Sequence, residues 1–189
     1  MRKGGGKLKG SSFERWVATK LSIWASEKKD SCIFWRTASS GGRATQLAKH
    51  GHKDPWQCGD INCIRKLGED LIRNFCIELK FYKDLRIENF IYGSDATKTA
   101  VYFWKKLKEH VNEHCYKMPM LICKQNKKKI LVVVDKSTFD KIIDYWGYPV
   151  NYMYSPKFDA VIFEFDWLVT VGDYKSVKFF RPIQVEDDK

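Results

Sequence analysis

Residues 75–83, Phe-Cys-Ile-Glu-Leu-Lys-Phe-Tyr-Lys, constrain the fold more than any other stretch of the chain. Read as a strand, the segment alternates its side chains between two faces, so Glu78 and Lys80 point one way and Ile77, Leu79 and Phe81 the other. A carboxylate and an amine then stand together on an otherwise apolar strand. Burying two charges is costly unless they pair with each other or serve a bound ion. Two readings follow, a paired core lysine or a metal-dependent active site, and the tripeptide alone does not choose between them.

The 189 residues suffice for one domain with a sizeable core, and 44% hydrophobic with 15% aromatic content marks a folded chain rather than a disordered one. No apolar run approaches a bilayer span, and the N-terminal Met-Arg-Lys-Gly-Gly-Gly-Lys lacks the apolar core of a signal peptide, so a cytoplasmic protein is expected. The six cysteines show no paired framework spacing and read as small core hydrophobes in a reducing compartment. His50 and His52 followed by Cys58 and Cys63 could be imagined as a zinc knuckle, but C-x4-C is looser than the usual C-x2-C. The net charge of +11 suits a polyanionic partner and says nothing about catalysis.

Residues 1–10, with three consecutive glycines and four basic residues, read as a flexible basic arm ahead of a single domain over residues 11–189. Ser11 or Ser12 caps a helix to about Ser26, with Phe13, Trp16, Val17, Leu21 and Trp24 as its buried stripe. Glu14 lies in phase with Ala18, Leu21 and Ala25, which sets a carboxylate on the inner edge of that stripe. Cys32–Thr37 has strand composition and leads into Ser39-Ser40-Gly41-Gly42, a turn whose amides and hydroxyls could approach a phosphate. Residues 44–57 read as a basic loop.

Gly59–Ile64 is expected to be a short strand opening with Asp60, and Leu71–Lys83 its antiparallel partner after a turn near Gly68, which places Asp60 opposite Glu78. Asp95 or Thr97 caps a second helix, carrying Ala100, Phe103, Trp104, Leu107 and Val111 inward and ended by Pro119. Met120–Lys124 and Ile130–Asp135 form a hairpin over a basic turn, Ser137 with Asp140 opens a third helix, and strands follow over Ala160–Val171 and Ser176–Phe180. Asp159, Glu164 and Asp166 form a rival acidic cluster without a lysine at the right spacing, read as edge-strand solubility.

Asp60 and Glu78 can hold Mg²⁺ through oxygen ligands, with the Leu79 carbonyl as a third protein ligand and Glu14 reaching the ion directly or through water. Lys80 beside the metal would position or deprotonate an attacking water. Together these residues describe a site for phosphodiester hydrolysis.

The order of helix with Glu14, strand, Ser-Gly-Gly loop, Asp60, strand with Glu78-Leu79-Lys80, helix and strand pair resembles the PD-(D/E)xK nuclease superfamily, and within it the archaeal-type Holliday-junction resolvases. The resemblance rests on Lys9–Arg15, Trp35-Arg36 with Ser39–Gly42, Gly59-Asp60-Ile61 and Ile77–Lys80, and covers about residues 9–135. It implies an α/β, restriction-endonuclease-like fold, a mixed central sheet flanked by helices. It further implies a structure-specific DNA endonuclease using Mg²⁺, with Mn²⁺ able to substitute, that acts as a homodimer on branched or four-way DNA. The implied catalytic set is Glu14, Asp60, Glu78, Lys80 and Ser39 or Ser40. Contacts to DNA are expected from Arg15, Arg36, Arg43, Lys49, Lys53, Lys98 and Lys105, the last two in place of a helix glutamine that the chain lacks. Gly59 stands where the pattern has proline, and residues 136–189 extend beyond the resolvase pattern. The same fold also serves restriction and repair nucleases, and a non-catalytic nucleic-acid-binding protein is the competing class.

Overall fold

The computed structural model describes residues 5–37 and 58–180. Its centre is a five-stranded mixed sheet flanked by helices on both faces.

The first helix, α1 (Gly5–Ala25), begins six residues before the expected cap, so half of the segment expected to be an arm is helical. Phe13, Val17, Leu21 and Trp24 are buried as the spacing requires, whereas Trp16 is exposed at the rim. Ser22, also fully buried, ties α1 to the next element. Its hydroxyl donates to the Ala18 carbonyl and accepts the amides of Ile33 (3.0 Å) and Phe34 (2.9 Å), where strand β1 (Phe34–Arg36) starts. Strand β2 (Ile61–Cys63) pairs antiparallel with β1 in a two-stranded sheet of its own.

A 3₁₀ turn at Lys66–Gly68 leads into a short helix, α2 (Glu69–Asn74), and only then into β3 (Phe75–Tyr82). The strand expected from Leu71 therefore starts at Phe75. Glu69 and Asp70 at the N-terminus of α2 and an Arg73–Glu69 pair one turn apart favour helix over that first stretch. After a one-turn helix, α3 (Asn89–Tyr92), helix α4 (Ala100–His110) is capped by Thr99, whose hydroxyl accepts the Tyr102 amide, and not by Asp95 or Thr97. A π turn over Val111–Cys115 and a left-handed Tyr116 end it. Pro119, expected to do so, lies inside β4 (Met118–Gln125), where the ladder to the next strand begins only at Met120 and so needs no amide from it.

Strand β5 (Ile130–Val134) completes the expected hairpin, and α5 (Lys136–Trp146) follows with Asp135 as its cap. Strand β6 (Tyr152–Ser155), which periodicity did not disclose, precedes β7 (Ala160–Glu164). The expected strand to Val171 stops at Glu164 and becomes helix α6 (Phe165–Val171), and Tyr174–Phe179 is 3₁₀ helix rather than strand. The sheet order is β3-β4-β5-β7-β6, with β3 parallel to β4 and every other pair antiparallel. β7 is thus internal, and its acidic flank is not edge solubility: Asp159 accepts from Lys108 and Glu164 from Lys129.

Alternation along the strands splits the core in two. Ile77, Leu79, Ile122, Val132 and Phe163 meet α1, α5 and α6 on one face, while Cys76, Leu121, Val133 and Ile162 meet α4 on the other. Cys76 and Cys123 are core hydrophobes as expected, and burial pushes each thiol up to about 12. Cys58 and Cys115 depart from that expectation and are joined as a disulfide. No helix among the described residues is long and apolar enough to cross a membrane.

Candidate active site

Among the described residues β3 is an edge strand, and the chain just before β2 crosses its outer side. Gly59 and Asp60 make that crossing. The Asp60 amide donates to the Ile77 carbonyl (2.7 Å), and the Asp60 Oδ2 accepts the Leu79 amide (2.8 Å). Asp60 therefore reaches β3 through one backbone and one side-chain bond, and not through the antiparallel ladder expected between their strands, since β2 pairs with β1 alone. A residue's amide and carbonyl leave an extended strand on the same side. Because the Leu79 amide points outward to Asp60, its carbonyl also faces the open edge.

Gly59 is required for this approach. Its φ is +87°, and a Cβ there would lie 2.5 Å from the Ile77 carbonyl oxygen. The proline of the related pattern could not occupy this conformation, because its ring holds φ near about −65°.

Four of the expected residues gather at this edge. Lys80 donates to Glu78, and its Nζ lies 3.9 Å from the Asp60 Oδ2. Asp60 is only 7% exposed, so its charge is poorly served by solvent. Glu14 approaches from α1 on the other side of the strand, and its Oε2 is 3.6 Å from the Nε of Arg36 on β1. Burial raises the pKa of Glu14, and Asp60 raises it further against the opposing pull of Arg36 and Lys80. Burial and then Asp60 likewise raise Glu78, although Lys80 pulls the other way. Burial alone would lower Lys80, but Glu78 and Asp60 outweigh it, and the ammonium holds its proton above the usual lysine range.

Burial is the largest influence on both glutamates, and the upward shift of Lys80 reflects the negative charge of Glu78 and Asp60 beside it. Among the described residues the donors are carboxylate oxygens and an outward carbonyl, with no sulfur or imidazole, which is the set a hard divalent cation takes. The three acids do not form a closed cage, since their oxygens are not all within 4.8 Å of one another, and Lys80 is the shared counter-ion of Asp60 and Glu78. The residues fit a divalent ion that would share those oxygens with Lys80.

The remaining expected residues are placed less uniformly. Ser39, Ser40, Arg43, Lys49 and Lys53 lie outside the described residues. Arg15 and Lys98 are exposed, Lys105 is held by Asp95 at 2.8 Å, and Arg36, expected to face DNA, faces Glu14. Of the zinc-knuckle group, His50 and His52 lie outside the described residues, Cys58 is bonded to Cys115, and Cys63 is a free thiol on β2.

A family model described as "Phage putative PDDEXK endonuclease" matches residues 5–179, a span that contains Glu14, Asp60, Glu78 and Lys80. The chain belongs to that family. Membership agrees with the mixed sheet flanked by helices, makes the chain a nuclease of the PD-(D/E)xK superfamily, and extends the likeness through residues 136–179, which lie beyond the resolvase pattern. Nucleases of this kind generally use divalent metal ions. No curated protein and no solved structure matches the chain.

Proposed function

We propose that the chain is a Mg²⁺-dependent endodeoxyribonuclease that cuts branched DNA, four-way junctions above all, as a homodimer in the cytoplasm of the infected host. Supporting this reading is one observation: Glu14, Asp60, Glu78 and Lys80 meet at the open edge of β3 in a chain of the phage PDDEXK endonuclease family. The nuclease unit takes in α1 from Gly5 rather than starting at residue 11, and the residues from 136 on extend the core, since β7 and β6 continue the sheet that β3 begins.

Asp60, Glu78 and the Leu79 carbonyl would hold Mg²⁺, with Glu14 completing the set directly or through water; Mn²⁺ satisfies the same oxygen donors. Bound there, the ion supplies a Lewis acid that stabilises charge on the oxygens of the scissile phosphate. The Leu79 amide fixes Asp60 in the orientation that this set requires. Lys80, which donates to Glu78 and lies beside Asp60, would position the attacking water and the phosphate or take a proton from that water. Arg36 steadies Glu14 and is a positioning residue. Ser39 or Ser40, with Arg15, Arg43, Lys49, Lys53, Lys98 and Lys105, would contact the DNA backbone, in keeping with the net charge of +11.

Incubation with Mg²⁺ and matched linear, flap and four-way DNA tests the reading. Wild type is expected to cut the four-way substrate in preference to linear duplex. Glu78→Ala and Lys80→Ala are each expected to lose at least about 10²-fold in cleavage rate while retaining DNA affinity. Full cleavage by both variants would overturn the site, and equal cleavage of linear duplex would overturn the substrate.

A further inference from the structure

We propose that the reduced chain binds a zinc ion through Cys58, Cys115 and His110. This inference does not depend on the nuclease reading, because the group offers two sulfurs and an imidazole rather than carboxylate oxygens.

The two sulfurs and an imidazole nitrogen of His110 all lie within 4.8 Å of one another, the only such group of three His, Cys, Asp or Glu ligands among the described residues. Both cysteines are buried and His110 is half-buried, so the group sits beneath the surface. Local backbone explains how His110 and Cys115 come together. Five residues span about 1.4 turns of an α-helix, which would send the two side chains apart. The helix instead widens into a π turn at Val111–Cys115, with the Tyr116 amide donating to the Val111 carbonyl at 2.9 Å, and five residues then close close to one full circuit. Cys58 arrives from the segment leading to Asp60, fifty-seven residues away in sequence from Cys115.

A disulfide accounts for two adjacent sulfurs but gives no reason for an imidazole at the same point. Two thiolates and one neutral imidazole supply three of the four donors of a tetrahedral zinc site, a water taking the fourth, and they discriminate against Mg²⁺. The Cys58–Cys115 disulfide and the metal are alternatives. A dithiol reductant donates two electrons and two protons to the S–S bond and is itself oxidised to a cyclic disulfide, leaving two thiols. Zinc then displaces the two thiol protons to solvent and takes both sulfurs as thiolates. In either state the end of α4 is fastened to the residue two before Asp60.

The test uses the full chain, fully reduced with a dithiol reductant, freed of metal and titrated with Co²⁺. Thiolate-to-cobalt charge-transfer bands and tetrahedral ligand-field bands are expected to saturate at about one cobalt per chain and to vanish on addition of Zn²⁺. Cys58→Ser and Cys115→Ser should each abolish the wild-type thiolate spectrum, and His110→Ala should weaken cobalt binding at least about tenfold. Glu78→Ala should keep the full spectrum, which separates this site from the oxygen-lined one. A reduced wild-type chain that is folded by circular dichroism yet gives no thiolate bands would overturn the proposal, whatever the variants do. Wild-type bands in Cys58→Ser would overturn it equally, by assigning the metal to other cysteines.

Discussion

Gly59 is the residue on which the position of Asp60 turns. At φ +87° with Ile77 backbone in the space of a Cβ, alanine meets both backbone strain and a clash. Gly59→Ala is expected to cost about 1–3 kcal/mol in urea denaturation. It should also reduce cleavage in conditions where the variant is still folded, because the crossing must shift away from β3 and carry Asp60 with it. Full activity in the folded variant would show that the crossing is not needed. Glu14 offers a prediction with a sign. Its folded pKa is raised, so the folded chain binds a proton there more readily than the unfolded chain does, and stability is lost as pH rises through that raised value. In buffer without divalent ions, Glu14→Gln should therefore melt above wild type at neutral pH. The difference should shrink as pH falls below the ordinary carboxylate range, where Glu14 is protonated in both states. A variant less stable than wild type at pH 7 would contradict the direction of the shift.

At the scale of elements, α5 is the clearest case of a helix specified locally. Asp135 accepts the Thr138 amide at 2.7 Å, and Phe139 and Ile142 pack inward. Asp135→Ala should lower stability by about 1 kcal/mol, read from thermal melts, with cleavage unchanged at temperatures where the chain is folded. The long periodic elements are legible from sequence: the stripes of α1 and α4 and the β4–β5 hairpin stand where spacing puts them, save that Trp16 is exposed and Phe103 only half-buried. The misses share a physical cause. Over short apolar runs such as Ala160–Val171, two-residue alternation and helical spacing are indistinguishable, and Phe165 with Leu168 is buried from a helix where a strand was expected. The α2 stretch reads as part of β3 for the same reason, since Leu71, Ile72 and Phe75 are apolar and would be buried from either conformation.

For the molecule as a whole, the chain order of acidic residues carried more information than any strand pairing inferred from it. Glu14, Asp60, Glu78 and Lys80 were nameable because each interrupts an apolar pattern at a cost in desolvation, and the structure brings them together. The Cys58, His110 and Cys115 group was not nameable. Cysteine is an ordinary core residue, and only the π turn, which no periodicity announces, brings His110 around. One consequence follows from Asp60 lying against the outer side of β3. Unpaired amides on a sheet margin are templates for another chain, and here the Asp60 carboxylate occupies the Leu79 amide as a neighbouring strand would. The acid is then also a guard against self-association. Asp60→Ala should form higher-order aggregates in light scattering, while Asp60→Asn, which keeps an acceptor oxygen, should not. Equal scattering from the two would remove that second duty, and unequal scattering would make Asp60 a residue whose loss is felt in solubility before any substrate is added.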